Sequence, residues 1–316
     1  MSGKLLGPQI VPADAQGIAQ AAALIASGQP VALPTETVYG LAARADSPEA
    51  VAAIYSAKGR PGFNPLIVHV ANLAQAETIA RFDDRARALA AKFWPGALTL
   101  VLPLRPEARI APAVTAGLPT IALRCPAHPV MRGVLEASGL PLAAPSANRS
   151  GRVSPTSAEH VAASLAGRIE LVLDGGECAT GLESTIVALR EDGTWQQFRP
   201  GPVTHEALSN ALGAENESHG DRGIEAPGQL ASHYAPGKPV RLGASSAAPD
   251  EFLIGFGALG GDYNLSPEGD LAEAAARLYA ALHQGAAAVQ PRIAVAALPE
   301  KGLGAAINDR LRRAAT

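Results

Sequence analysis

The sequence predicts an α/β protein built as two unequal units, and two observations carry that prediction. Through the first two-thirds of the 316 residues, short apolar runs alternate with alanine-rich stretches of helical period, the pattern of strands and helices packed in layers. Composition then shifts near residue 202, and the polar, Gly- and Pro-bearing stretch from Gly213 to Gly237 separates that alternation from a second, shorter one. The expected division is a first domain over 1–202, a linker over 203–237 and a small α/β domain over 238–316.

Taken in order, AQGIAQAAALIASG (15–28) reads as a helix closed by Gly28, followed by the strand PVALP. SPEAVAAIYSAKG (47–59) has Ser47 as N-cap, Pro48 at the first helical position and Glu49 in the first turn. It stops at Gly59, which delivers Lys58 and Arg60 to a loop. LIVHV, LTLVLP, TIALRC, PLAAPS, LVLDGG, STIVAL and WQQFRP are strand candidates, separated by helices such as DDRARALAAKFW and SAEHVAASLAG. Beyond the linker, PVRL, EFLIGF and RIAVAAL read as strands, and LAEAAARLYAALHQG and AINDRLRRAA as helices. There is no internal repeat.

Composition narrows the function classes. A hydrophobic fraction of 47% against 17% charged residues fills a real core, and no apolar run is long enough to span a bilayer. The N-terminal stretch MSGKLLGPQIVPAD has no apolar segment of signal-peptide length, so the expectation is a cytoplasmic protein without a membrane partner. Cys125 and Cys178 stand alone, without CxxC spacing, and read as reduced bystander thiols. A net charge of −3 supplies no overall basic field for a nucleic-acid backbone, so any tRNA contact is expected to be local or indirect.

Several strand candidates end in polar or charged groups. VALP runs into Thr35, Glu36 and Thr37; LIVHV contains His69; TIAL ends in Arg124; PLAAP ends near Ser146 and Asn148; Ser184 opens STIVAL; QQF ends in Arg199. Ligand pockets of α/β sheets form beyond strand ends, so these groups are expected to converge on one cavity suited to a ligand with phosphates and a carboxylate. Singly, each has a plainer reading: His69 as a satisfied core histidine, Arg124 as a strand-end ion pair, and Ser146 and Asn148 as turn formers.

The motifs LPTETVYGLAA (33–43), KGRP followed by NPLIVHV (58–70), TIALRCPAHP (120–129), PSANRSGRVSPT (145–156), ESTIV (183–187) and FRPG (198–201) resemble the YrdC-type threonylcarbamoyl-AMP synthase family. PGQLASHYAP (227–236) followed by a small α/β unit resembles the long form of that family. The resemblance covers essentially the whole chain. It implies a twisted open mixed-sheet YrdC-like catalytic domain with a smaller Rossmann-like C-terminal domain. It also implies an enzyme that joins L-threonine, bicarbonate or CO2 and ATP into threonylcarbamoyl-AMP and pyrophosphate, with a separate transferase acting downstream on tRNA.

The same resemblance places Lys58, Arg60, Asn64, Thr120, Asn148, Ser154, Arg199, His233 and Tyr234 around ATP, with Lys58 and Arg60 as the catalytic cations. It places Thr37, His69, Arg124, Ser146 and Ser184 around threonine, and makes 227–236 a lid. No cluster of Asp and Glu is available to cage a metal, so Mg²⁺ is expected to be carried by the ATP phosphates and water.

Two rival readings exist. GFGALG (255–260) matches the glycine pattern of dinucleotide sites, but GDYNLSPEG follows it where a helix is required, which favours a tight turn. A non-catalytic RNA-binding module fits poorly with 4% aromatics and an acidic balance.

Overall fold

A computed structural model of the chain describes residues 7–215, 226 and 233–316. In the first unit the order is β1 (Gln9–Pro12), α1 (Ala15–Ala26), β2 (Val31–Leu33), β3 (Gly40–Arg44), α2 (Pro48–Lys58), β4 (Ile67–His69), α3 (Leu73–Glu77), α4 (Asp84–Phe93) and β5 (Leu98–Pro103). It continues with α5 (Pro112–Thr115), β6 (Thr120–Arg124), α6 (Pro129–Ser138), β7 (Leu142–Ala143), α7 (Ala158–Leu165), β8 (Leu171–Asp174), β9 (Thr185–Leu189), β10 (Trp195–Arg199) and α8 (His205–Leu212). The strands form one ten-stranded sheet in the order β1-β8-β2-β3-β7-β4-β6-β5-β9-β10. Parallel and antiparallel pairs mix, as in β4 with β6 and β5 with β6.

The helix ends follow the local chemistry. Ser47 caps α2 by accepting from the Ala50 amide, and Gly59 closes it in the left-handed region at φ 60°. Strand β3, GLAAR, carries no alternating pattern because four of its five residues are buried. Residues 205–212 correct the composition-based boundary: they form α8 instead of linker. Thr204 accepts from the Ala207 amide to cap that helix, and Leu208 is fully buried in the main core. Of the expected linker, 216–225 and 227–232 lie outside the described residues, the second stretch being most of the expected lid.

Alternation along the strands decides what each face of the sheet meets. Leu41, Ala43, Val68, Leu100, Leu123 and Val187 point to one face, into a core completed by Val51 and Ile54 of α2, Leu89 of α4 and Val161 of α7. On the opposite face Val31, Leu33, Ala42 and Leu142 pack against Ile25 of α1 and Val134 of α6. Farther along that same face, Ile67, Val101, Ala122, Ile186 and Ala188 form a separate small cluster.

The second unit comprises β11 (Val240–Ala244), β12 (Glu251–Gly255), β13 (Tyr263–Asn264), α9 (Leu271–Ala287), β14 (Arg292–Ala296) and α10 (Leu303–Ala314). Its four strands are all parallel, in the order β11-β14-β12-β13. GFGALG is the turn between β12 and β13, with Phe256 bridged to Leu259 and Gly257 at φ 60°. The chain enters a strand there, so the helix that a dinucleotide site needs is missing from that place.

The two units share a buried seam. Val38, Val153 and Leu182 of the first pack with Leu278, Tyr279, Leu282 and Ile307 of the second. His160 stacks on His283 with ring centroids 3.9 Å apart, and Nε2 of His283 donates to the Ser154 carbonyl at 3.1 Å. Gly181, at φ 69°, lets α9 approach so closely that a Cβ there would lie 2.5 Å from the Ala275 carbonyl oxygen. Cys125 and Cys178 are buried free thiols.

Candidate active site

A histidine inside an apolar strand is explained by which face it points to. Strand alternation puts His69 on the same side as Ile67, and Arg124 on the same side as Ala122, while Val68 and Leu123 point to the main core. The parallel register aligns His69 with Arg124 directly. On that side the sheet faces a cavity lined by Thr35, Thr37, Gly40, Arg60, Ile67, His69, Arg124, Ser146, Glu183, Ser184, Arg199, His233 and Tyr234, among others. Nine of the residues chosen from sequence line it: Thr37, Arg60, His69, Arg124, Ser146, Ser184, Arg199, His233 and Tyr234.

Around Arg124 the donors are spoken for in part. Its Nη1 donates to Thr37 Oγ1 at 2.8 Å, Nη2 to Glu36 Oε1 at 2.5 Å and Nε to the Gly96 carbonyl at 3.1 Å. A guanidinium has five N–H groups, so two remain. Burial would raise the Glu36 pKa, but the charge and hydrogen bonds of Arg124 outweigh it and hold the carboxyl below its ordinary range. Thr37 is fixed in turn by a 2.8 Å hydroxyl contact with Thr35, and Ser184 by one of 2.7 Å with Thr99. Burial and the neighbouring Arg124 charge depress the His69 pKa to about 3, so its ring is neutral, and Nδ1 has no partner among the described residues.

Two further arginines, Arg60 and Arg199, line the same cavity. Arg60 is braced by its own loop, donating to the Asn64 and Pro65 carbonyls at 3.2 and 2.9 Å. Arg199 donates from Nε to the Ser184 carbonyl and from Nη2 to the Ser184 hydroxyl. His233 and Tyr234 line the same cavity. The Ala235 amide donates to the Gly151 carbonyl at 2.8 Å, and the His233 amide donates to the Arg313 carbonyl at 3.2 Å.

Five chosen residues do not line the cavity. Lys58 is buried, its Nζ donates to the carbonyls of Ser146 and Asn148 at 2.6 and 2.5 Å, and burial with the nearby Arg60 charge holds its pKa well below the usual lysine range. Asn148 donates its amide to the Arg149 and Arg152 carbonyls, which shapes the same loop. Ser154 sits behind Glu183, to which its hydroxyl donates at 2.6 Å. Asn64 and Thr120 are set back from the cavity, and each has a buried oxygen, Oδ1 and Oγ1, without a partner among the described residues.

A family model described as "Telomere recombination" matches residues 23–201, and one described as "Threonylcarbamoyl-AMP synthase, C-terminal domain" matches 203–316. The Bacillus subtilis threonylcarbamoyl-AMP synthase is 42% identical, over 94% of this chain and 92% of its own length. The chain belongs to the threonylcarbamoyl-AMP synthase family. The Pyrococcus abyssi threonylcarbamoyl-AMP synthase is 40% identical over 93% of this chain and 92% of its own length. A crystal structure described as P. abyssi Sua5 complexed with L-threonine superposes with a TM-score of 0.87 at 36% identity, covering 99% of this chain and 98% of that one.

Within this threonylcarbamoyl-AMP synthase family member, the fold adds three residues that the sequence did not point to: Glu183 on the cavity wall, with Tyr279 and Arg310 behind it. Glu183 was visible inside ESTIV and lines the cavity. Tyr279 and Arg310 gave no signal, because each sits on an amphipathic helix of the second unit where a buried polar residue looks like any other seam position. Both reach Glu183 at 2.8 Å. For a metal, the described residues contain no group of three or more His, Cys, Asp or Glu able to hold one. The two carboxylates nearest the cavity, Glu36 and Glu183, are each engaged by an arginine. A resident protein-caged Mg²⁺ does not fit this donor set.

Proposed function

We propose that the chain is an L-threonylcarbamoyladenylate synthase, forming threonylcarbamoyl-AMP and pyrophosphate from L-threonine, bicarbonate or CO2, and ATP. The observation that carries this reading is one cavity shared by Arg124, Thr37, His69 and Ser184 with Arg60 and Arg199, in a chain matched to the synthase family through both of its units.

The geometry suits the chemistry as follows. The two uncommitted N–H groups of Arg124 serve the threonine carboxylate, and the neutral His69 ring offers Nδ1 to the same substrate. The threonine amine attacks CO2 with loss of a proton to give a carbamate. A carbamate oxygen then attacks the α-phosphorus of ATP, and the bond to the departing pyrophosphate breaks. No protein nucleophile is required, so the chain contributes positioning and charge: Arg60 and Arg199 face the developing charge on the phosphates. Lys58 acts through the loop whose carbonyls it holds, setting Ser146 and Asn148. Mg²⁺ arrives on ATP, held by phosphate oxygens and water. His233 and Tyr234 form the covered side of the cavity and exclude water from the carbamate and the mixed anhydride.

The product goes to a separate transferase acting on tRNA, in the first step of threonylcarbamoyladenosine formation, and this chain's own tRNA contact is at most indirect. No described helix is long and apolar enough to cross a membrane. We place the enzyme in the cytoplasm, in keeping with its free thiols. The test is pyrophosphate release from ATP by the purified full chain. Release that requires both threonine and bicarbonate is the expected result, and release indifferent to threonine would overturn the reading.

A further inference from the structure

Glu183 is an anion placed where a triphosphate is proposed to bind. It lines the cavity beside Arg199, His233 and Tyr234, yet its hydrogen-bond partners stand outside the lining, two of the three in the other unit. Oε2 accepts from Nε of Arg310 and from the hydroxyl of Tyr279, each at 2.8 Å, and Oε1 accepts from the Ser154 hydroxyl at 2.6 Å. Arg310 lies on α10 and is 0% exposed, a burial that a guanidinium tolerates only when paired. The same guanidinium packs over the Tyr234 ring at 5.5 Å, and Nη1 donates to Asp309 at 2.6 Å.

This arrangement decides where Arg199 points. Glu183 lies within the electrostatic reach of two arginines, Arg310 and Arg199. Because Arg310 takes the carboxylate, Arg199 is left to bond Ser184 and to face the cavity. Without Arg310 the ionised Glu183 would have Arg199 as its nearest remaining counter-charge, and the cavity would lose a cation and gain an uncompensated anion together. Tyr234 would also lose the cation beneath its ring.

We propose that Arg310 of the C-terminal domain is a positioning residue for ATP binding: it neutralises and orients Glu183, which keeps Arg199 and Tyr234 available to the nucleotide. This rests on the synthase reading above. It gives the C-terminal domain a part in the reaction, exercised through one buried carboxylate and without contact between that domain and the substrates.

The test is steady-state pyrophosphate release by full-length chains, titrating ATP and threonine separately. Arg310→Met keeps an unbranched apolar stem in the seam, and should raise the KM for ATP at least tenfold while changing the threonine KM less than threefold. The double variant Arg310→Met with Glu183→Gln removes the stranded anion, and should recover most of the lost ATP affinity. Tyr279→Phe deletes a single hydrogen bond to Glu183 with no loss of packing. It should raise the ATP KM a few-fold, and it serves as the decisive variant if Arg310→Met fails to fold. Equal losses for both substrates, a double variant no better than Arg310→Met, or an unchanged ATP KM in Tyr279→Phe would overturn the proposal. An inactive wild-type chain would instead sink the synthase reading itself. In that case calorimetric ATP binding to the same variants still decides the role of Arg310.

Discussion

Arg124 and Glu36 form an ion pair in which Nη2 donates to Oε1 at 2.5 Å, at the end of β6 where it meets the cavity. The pair fixes the plane of the guanidinium and leaves two of its donors uncommitted to the protein. A lysine cannot serve Thr37, Glu36, the Gly96 carbonyl and a carboxylate at once. Arg124→Lys should therefore weaken threonine binding by about 10–100-fold, the cost of about 1.5–3 kcal/mol for losing charged hydrogen bonds. ATP binding should change much less. Calorimetry on both ligands is the check, and equal losses would move Arg124 out of the amino-acid site.

Arg60 should matter for turnover and not for folding. Its bonds to carbonyls end within its own loop, and its side-chain bond to Tyr55 reaches only the adjoining helix α2, so no distant element depends on it. Arg60→Ala should lower kcat by about 10²–10³-fold, the range for losing one group that stabilises transition-state charge. Circular dichroism should be unchanged. An unfolded variant, or one with normal pyrophosphate release, contradicts the assignment.

Tyr234 holds an unusual backbone. Its φ is 65°, a conformation that L residues rarely adopt, and it persists because flanking amides are tied to Gly151 on one side and Arg313 on the other. With its side chain 1% exposed and lining the cavity, it is a part of the site that cannot be swapped freely. Replacing His233 and Tyr234 together with alanine should cut threonylcarbamoyl-AMP formation at least about tenfold, by analogy with other losses of water exclusion and positioning. Chromatographic quantification of the adenylate is the measure, and a normal rate would make this segment a passive tether.

The seam between the units should be sensitive to a single methyl group. A Cβ at Gly181 would fall 2.5 Å from backbone atoms of Ala275 and Ala276, and φ there is 69°. Gly181→Ala should destabilise the chain by about 1–3 kcal/mol through overpacking and left-handed strain. Thermal unfolding followed at a far-UV wavelength checks this, with an unchanged midpoint as the contrary result.

Acid should loosen the site before it titrates most carboxylates. His69 and His233 are depressed from 6.5 to about 3, mainly by burial. Between those values the unfolded chain binds more protons than the folded one, so stability rises with pH there: it is full above about 6.5 and falls as pH drops toward 3. Glu183 is held at about 2 against an ordinary 4.5; burial opposes that shift, and Arg310 with Arg199 dominates it. Its contribution is present above 4.5 and lost as pH falls toward 2. The unfolding midpoint should therefore decline already between pH 7 and 5, and His69→Gln should flatten that decline. A midpoint constant across that window would show the histidines are not buried neutral.

Much of the site was legible because the chemistry sits in local motifs. Thr37, His69, Arg124, Ser146, Ser184 and Arg199 stand at strand ends or on the outward register of strands, and the cavity collects all six. Lys58, Asn64, Thr120, Asn148 and Ser154 belong to the same motifs, but the fold sets them behind the lining. A motif gives sequence neighbours, and only the course of the backbone says whose side chain reaches the open space. Helix α8 was hidden for a related reason: polar residues around Leu208 and Leu212 look like linker until those two leucines find a core.

What the sequence by itself determined is the class of fold, most helix ends and the choice of chemistry, because caps, period-2 runs and strand-end cations act over a few residues. The tertiary structure alone decided why His69 belongs in an apolar strand: one face of the sheet meets a core at Val68, and the other meets a cavity. It also decided that Glu183 is answered by Arg310, 127 residues away in the chain. No local pattern encodes such a pair, since a buried charge is stabilised by whichever opposite charge the packed domains bring within reach.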